Sequence, residues 1–197
     1  MRDQANGFNR TILEGAGIGA LAGAGIGAAA CRGNWSCILI GAAAGAAAGS
    51  AGGYYYAQKK EGYVNEEQRL DAIIADIRKD NQNLEGLVKD ARTVAAADKR
   101  KMDQIDKALA ANTMSQEQAK RELAAVDDNR EVLEDTIANL KDRRDEWKEV
   151  AAKARADTDS TKLARMDREI KTLENQIALL ENELDALTTR RRASLVG

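Results

Sequence analysis

The chain contains no proline and no histidine. Without histidine it lacks both the commonest general acid–base and the commonest metal ligand. Without proline, nothing of that kind interrupts a long helix. Aromatic residues make up 4% of the sequence, too few for a large mixed globular core. The net charge of −2 gives no basic bias toward nucleic acid. The two cysteines, Cys31 and Cys37, without histidine or nearby acidic partners, leave a metal coordination shell incomplete. No catalytic constellation is visible, so an enzyme is not expected, and neither is a cofactor.

What is present divides into two compositions. Up to Gln58 the chain is rich in Gly and Ala; beyond it, Ala, Glu, Asp, Lys, Arg, Leu and Gln dominate. The second composition belongs to long helices and coiled coils. In the first, Gly15, Gly19, Gly23 and Gly27 are spaced by four residues, and so are Gly41, Gly45, Gly49 and Gly53. Four residues is roughly one helical turn, so each set lines one helix face with no side chains. Such faces let backbones approach closely, a principal way of holding helices together in lipid.

Thr11 to Glu14 reads as a capping box that starts a first helix over about residues 12–30. Turn chemistry at Gly33-Asn34 predicts a hairpin, with a second helix over about 37–56. Each is close to the length that spans a bilayer core. Trp35 sits at the tip, and Tyr54, Tyr55 and Tyr56 at the opposite end, so the aromatics suit two membrane–water interfaces. Cys31 and Cys37 flank a five-residue loop. A disulfide there requires an oxidising compartment, and two free thiols fit the sequence equally. The many Gly and Ala residues make each span only marginally favourable for insertion, which suits the outer membrane. Lys59 and Lys60 argue oppositely, for an inner-membrane hairpin with a cytoplasmic coiled coil.

From Gly62 a broad apolar stripe runs through Leu70, Ile73, Ile74, Ile77, Leu84, Leu87, Val88, Ala91, Val94, Met102, Ile105 and Leu109, suiting a bundle helix that ends near Asn112. Ser115 to Gln118 is a second capping box. It opens a helix with alternating steps of four and three, including Leu133, Ile137, Leu140 and Trp147, with Arg130 and Arg144 also on the seam. Those arginines are expected to lay their stems along the core edge. At Asp157 to Ser160 the phase breaks, and a break into a new helix is favoured over a stutter. Ile170, Leu173, Ile177, Leu180 and Leu184 continue the last seam. Arg190, Arg191 and Arg192 read as a solvated basic end.

The expected fold is all-α: a two-helix glycine-zipper transmembrane hairpin, then a long antiparallel coiled-coil bundle of two to three helices. The division is 1–11 a polar segment, 12–56 the hairpin, 57–190 the coiled coil and 191–197 a tail. Three stretches resemble the glycine-zipper families of Gram-negative envelope proteins, many of them lipoproteins: Gly15-Ala16-Gly17-Ile18-Gly19-Ala20, the run Ile40 to Gly49, and Gly53-Tyr54-Tyr55-Tyr56-Ala57-Gln58. The resemblance covers about residues 12–60 and implies membrane insertion and self-association in the cell envelope. The chain departs from those families in lacking an N-terminal lipobox Cys and an OmpA-like domain, so peptidoglycan binding is not carried over. The expected function is a non-enzymatic outer-membrane scaffold facing the periplasm. It would form homo-oligomers through both the zipper and the coiled coil, and reach an envelope protein partner with the rod. A pore-forming oligomer is the first rival.

Overall fold

A computed structural model describes residues 52–158 and 160–196, with the side chains of Gly53 and Tyr54 excepted. Four helices account for nearly all of these residues: α1 (Gly52–Gly62), α2 (Glu66–Ala110), α3 (Gln116–Asp157) and α4 (Lys162–Arg192). Among the described residues no helix is long and apolar enough to cross a membrane. Gly15, Gly19, Gly23, Gly27, Gly41, Gly45 and Gly49, together with Cys31, Cys37, Trp35 and the Thr11 capping box, lie outside the described residues.

The helices begin and end where local chemistry directs. Asn65 caps α2, its side chain accepting from the Gln68 amide. After α2, Asn112 takes a left-handed conformation with φ 53°, which asparagine tolerates better than most residues. Ser115 then opens α3 with both bonds of a capping box, its hydroxyl accepting from the Gln118 amide at 3.2 Å and Gln118 Oε1 accepting from the Ser115 amide at 3.0 Å. The phase break after α3 is a true interruption: α3 stops at Asp157 and α4 starts at Lys162. Ser160 accepts from the Lys162 amide there.

At 1.5 Å per residue α2 and α3 each extend about 65 Å, and α4 about 46 Å. Cross-helix pairs give the direction. Lys162 meets Glu67 and Asp71, Arg78 meets Glu169, Lys99 meets Glu183 and Arg190 meets Asp103, so α2 and α4 run parallel. Arg143 meets Asp80, Lys148 meets Glu174 and Arg191 meets Asp127, so α3 runs antiparallel to both.

The core is a heptad seam from each long helix, closed within one chain. On α3 Leu133, Ile137, Leu140 and Trp147 are buried; on α4 Ile170, Leu173, Ile177 and Leu180 are buried, with Leu184 packed at the core edge. Steps of 3.5 residues keep the apolar line facing its partners along the rod. On α2 the seam reads Leu70, Ile74, Ile77, Asn81, Leu84, Val88, Ala91, Ala95, Asp98, Met102 and Ile105, all buried. Its irregular look in the sequence is now explained: Asn81 and Asp98 occupy core positions that an apolar search passes over. Arg130 and Arg144 sit partly buried, with charged heads on neighbouring carboxylates Glu134 and Asp145.

Two boundaries move. The helix carrying the tyrosines does not stop at Tyr56; α1 continues through Gln58, Lys59 and Lys60 to Gly62. The C-terminal end is not a solvated tail. α4 extends to Arg192, Val196 is buried, and the arginines are engaged as described below.

Candidate functional site

The described residues of densest mixed chemistry form a collar where α1 lies on the bundle. After α1 the chain reverses at Tyr63 to Asn65, so α1 is antiparallel to α2 and parallel to α3, seated between them. The backbones of α1 and α3 approach closely at Gly52. A Cβ on Gly52 would stand 2.5 Å from the Glu146 carbonyl oxygen and 3.2 Å from Glu149 Cβ. Only glycine lets the two backbones meet at this distance.

Tyr55 follows. Its ring meets the Trp147 indole edge-on, with centroids 5.2 Å apart. Its hydroxyl donates to Asp76, which also pairs with Lys59 at 2.9 Å. Trp147 is buried and donates from Nε1 to Asp80 Oδ2 at 2.8 Å. The same oxygen accepts from Arg143 Nε at 2.9 Å, and Arg143 Nη1 donates to Glu146 at 3.0 Å. The guanidinium carbon lies 4.4 Å from the Trp147 ring centroid, a cation–π stack. Burial works to lower the Arg143 pKa, but Asp80 and Glu146 outweigh it and hold the group above its ordinary value.

The next residue, Tyr56, is buried. Its hydroxyl receives a bond from Arg69 Nη2 at 3.2 Å and donates to Asp157 at 3.1 Å. Lys60 reaches the same carboxylate at 2.7 Å. Hydrogen bonds from Lys60 and then Tyr56 hold Asp157 below its usual range. Arg69 is itself buried, and its Nε has no acceptor among the described residues.

The sequence places Tyr54, Tyr55 and Tyr56 at a bilayer surface. In the structure Tyr55 and Tyr56 instead face protein partners on α2 and α3. Their clustering beside Gly53 marks the seam between the glycine-rich stretch and the rod. Arg143, Asp80, Asp76 and Arg69 carried no periodic signal, because each sits beside the apolar seam rather than on it. Trp147 was legible as an anchor, although its partner was not.

A second cluster closes the opposite end. Arg190 bridges Asp103 and Asp106, each at 2.7 Å, and Arg191 forks onto Asp127 while donating to the Val196 carbonyl. Asp106 also accepts from the Ser194 hydroxyl and the Leu195 amide. Burial pushes Asp106 upward, but these donors, Arg190 first, leave it below the ordinary carboxylate value.

The collar's carboxylates are each tied to a cation, a phenol or an indole. Among the described residues no group of three or more Cys, Asp or Glu side chains is arranged to hold a metal ion. A shallow groove of about 620 Å³ beside Gly86 is lined by Gln82, Glu85, Lys89, Arg92, Thr93 and Gln176, with Val88 as its aliphatic floor. The collar can join two segments rigidly; the clasp can fasten the far end. Searches against protein-family models, curated proteins and solved structures return no match.

Proposed function

We propose that the protein is a non-enzymatic, membrane-anchored structural component of a bacterial cell envelope. The glycine-rich segment anchors it and self-associates, and the helical rod reaches a partner protein in the periplasm. The observation that carries this reading is the closure of the rod upon itself. All three long seams are filled by helices of one chain, and ion pairs such as Lys141–Glu181 and Lys148–Glu174 bridge its surface. Among the described residues a rod so closed leaves only Val64, Leu179 and Leu195 as exposed large hydrophobics, and no apolar seam for forming oligomers. Self-association therefore falls to Gly15, Gly19, Gly23, Gly27, Gly41, Gly45, Gly49 and Gly53, spaced for close backbone contact. The collar supports the same division, since it fixes the end of the glycine-rich stretch to the rod and transmits position from one to the other.

The test is the oligomeric state in mild detergent. Gly23→Leu and Gly45→Leu should each shift the full chain from oligomer to smaller species on native gels, with the helical signal of the rod unchanged. Oligomers of unchanged size in both variants would sink the reading.

A further inference from the structure

The two polar residues on the α2 seam are treated differently by their neighbours. Asp98 has both carboxylate oxygens bonded by Asn129 of α3. Asn81 has only half of its amide engaged. Its Nδ2 donates to the Glu169 carbonyl at 3.0 Å and to Glu169 Oε2 at 3.2 Å, while its Oδ1 is buried and receives no bond among the described residues. Both partners of Nδ2 are acceptors only, so turning the amide over would not repair this. Gln176, one heptad beyond Glu169, repeats the pattern. Its Nε2 donates to the Asn81 carbonyl at 3.1 Å, and its Oε1 is buried without a donor. Asn83 Nδ2 is buried without an acceptor. Among the described residues, three of the four buried side-chain atoms that lack a partner therefore fall at one height of the rod; the fourth, Arg69 Nε, is at the collar.

Packing thins at the same height. The Asp80–Arg143 pair sets α3 against α2 here. The adjoining seam residue of α3 is Arg144, partly buried with its head on Asp145. The seams of α2 and α3 thus turn polar together, and only α4, with Ile170 and Leu173, stays apolar. Gly86 follows near the midpoint of α2. A Cβ there would meet nothing within 4 Å, so no close contact demands glycine as it does at Gly52. Glycine inside a helix weakens it relative to alanine. The groove beside Gly86 also borders Gln176, which brings solvent up to the amide cluster.

We infer that residues 81–86 of α2 and the facing 169–176 of α4 form a hinge, a segment that opens locally while the collar and the clasp stay closed. A buried polar atom without a partner destabilises the closed form, and opening restores its bonds with water. The rod then flexes midway, so its far end can turn toward a partner without disturbing the anchored end. That use rests on the proposed envelope role, whereas the hinge itself does not.

The test is hydrogen exchange of the full chain in mild detergent, resolved to single amides. Protection at residues 82–90 should be at least about tenfold lower than around Ile74 and Ile105, and insensitive to low denaturant, the mark of a local opening. Gly86→Ala and Asn81→Leu should each slow exchange there by at least about threefold. Protection equal to that around Ile74 and Ile105, a steep dependence on denaturant, or rates indifferent to both variants would overturn the hinge. So would a minimum of protection at Asp98 instead of Asn81. The oligomer size of Gly23→Leu reads the envelope role separately, and neither result decides the other.

Discussion

The two ends of the rod are closed by different means. At the end where α1 docks, bulk does the work: Trp147, Tyr55, Tyr56 and Ile73 fill the space, and the polar groups around them bond one another, Arg69 Nε excepted. At the far end Met102, Ile105, Leu123, Val126 and Leu187 are buried without an aromatic ring among them, and Arg190 and Arg191 fasten the surface by gripping Asp103, Asp106 and Asp127. Burial of large side chains stabilises by area and is nearly indifferent to pH. Part-exposed ion pairs contribute little each and depend on ionisation. The collar should therefore be the stable, permanent joint and the clasp the conditional one.

The largest test of this contrast is Trp147→Ala. It removes a buried ring, the edge partner of Tyr55 and a donor to Asp80, and should cost about 3–5 kcal/mol in thermal or denaturant unfolding. A loss below about 1 kcal/mol would mean the collar is not the stable end. Next is Gly52→Leu, in which the added side chain meets the Glu146 backbone rather than a flexible side chain. The displacement of α1 should cost about 1–3 kcal/mol and alter Trp147 fluorescence; an unchanged spectrum would show that α1 does not rest there.

Asp98→Asn sharpens the contrast from the other side. Asp98 is buried on the seam with Asn129 donating to both carboxylate oxygens, and no ion pair to it is formed among the described residues. Burial raises its pKa. A folded pKa above the unfolded one favours folding at acid pH, an advantage lost as pH rises through the folded value. The asparagine variant should thus be more stable than the parent by about 1 kcal/mol at pH 7, and the gap should close as pH falls toward 4. A variant destabilised at pH 7 would show the carboxylate is favourable where it stands.

The smallest expected effect is at the clasp itself. Asp106 is held below its ordinary pKa, so its contribution is present above the unfolded value and is lost as pH falls through the folded one. Amide exchange at Ser194 to Val196 should accelerate on acidification before the collar loosens. Arg190→Gln should produce the same loosening at pH 7. Simultaneous loosening of both ends would erase the distinction.

Much of the rod was legible because a 3.5-residue period is a strong signal and both interruptions carried local chemistry. Ser115 and Gln118 announced a start, and Asp157 to Ser160 announced a break. Trp147 was legible as an anchor because it fell on the α3 seam. The remainder failed for one physical reason: contacts between elements leave no period in either. Asp76, Asp80 and Arg143 read as ordinary solvated charges until Tyr55 and Trp147 come to meet them. Asn81 and Asp98 read as gaps in a stripe rather than as members of it. Arg190 and Arg191 read as a tail because their acidic partners lie more than sixty residues away. The tyrosines were misleading in a particular way, since an amphipathic ring suits a membrane surface and a polar protein joint equally well.

The central claim is that the glycine-rich segment holds the protein in a membrane while the rod stands outside it. Vesicle flotation of the full chain, with protease added to the floated fraction, tests this most directly. The account predicts that the chain floats with the vesicles, that the rod is digested, and that a fragment bearing Gly15 to Gly49 stays protected. A chain left at the bottom of the gradient, or a floated chain whose glycine-rich segment is cut as readily as the rod, would contradict it.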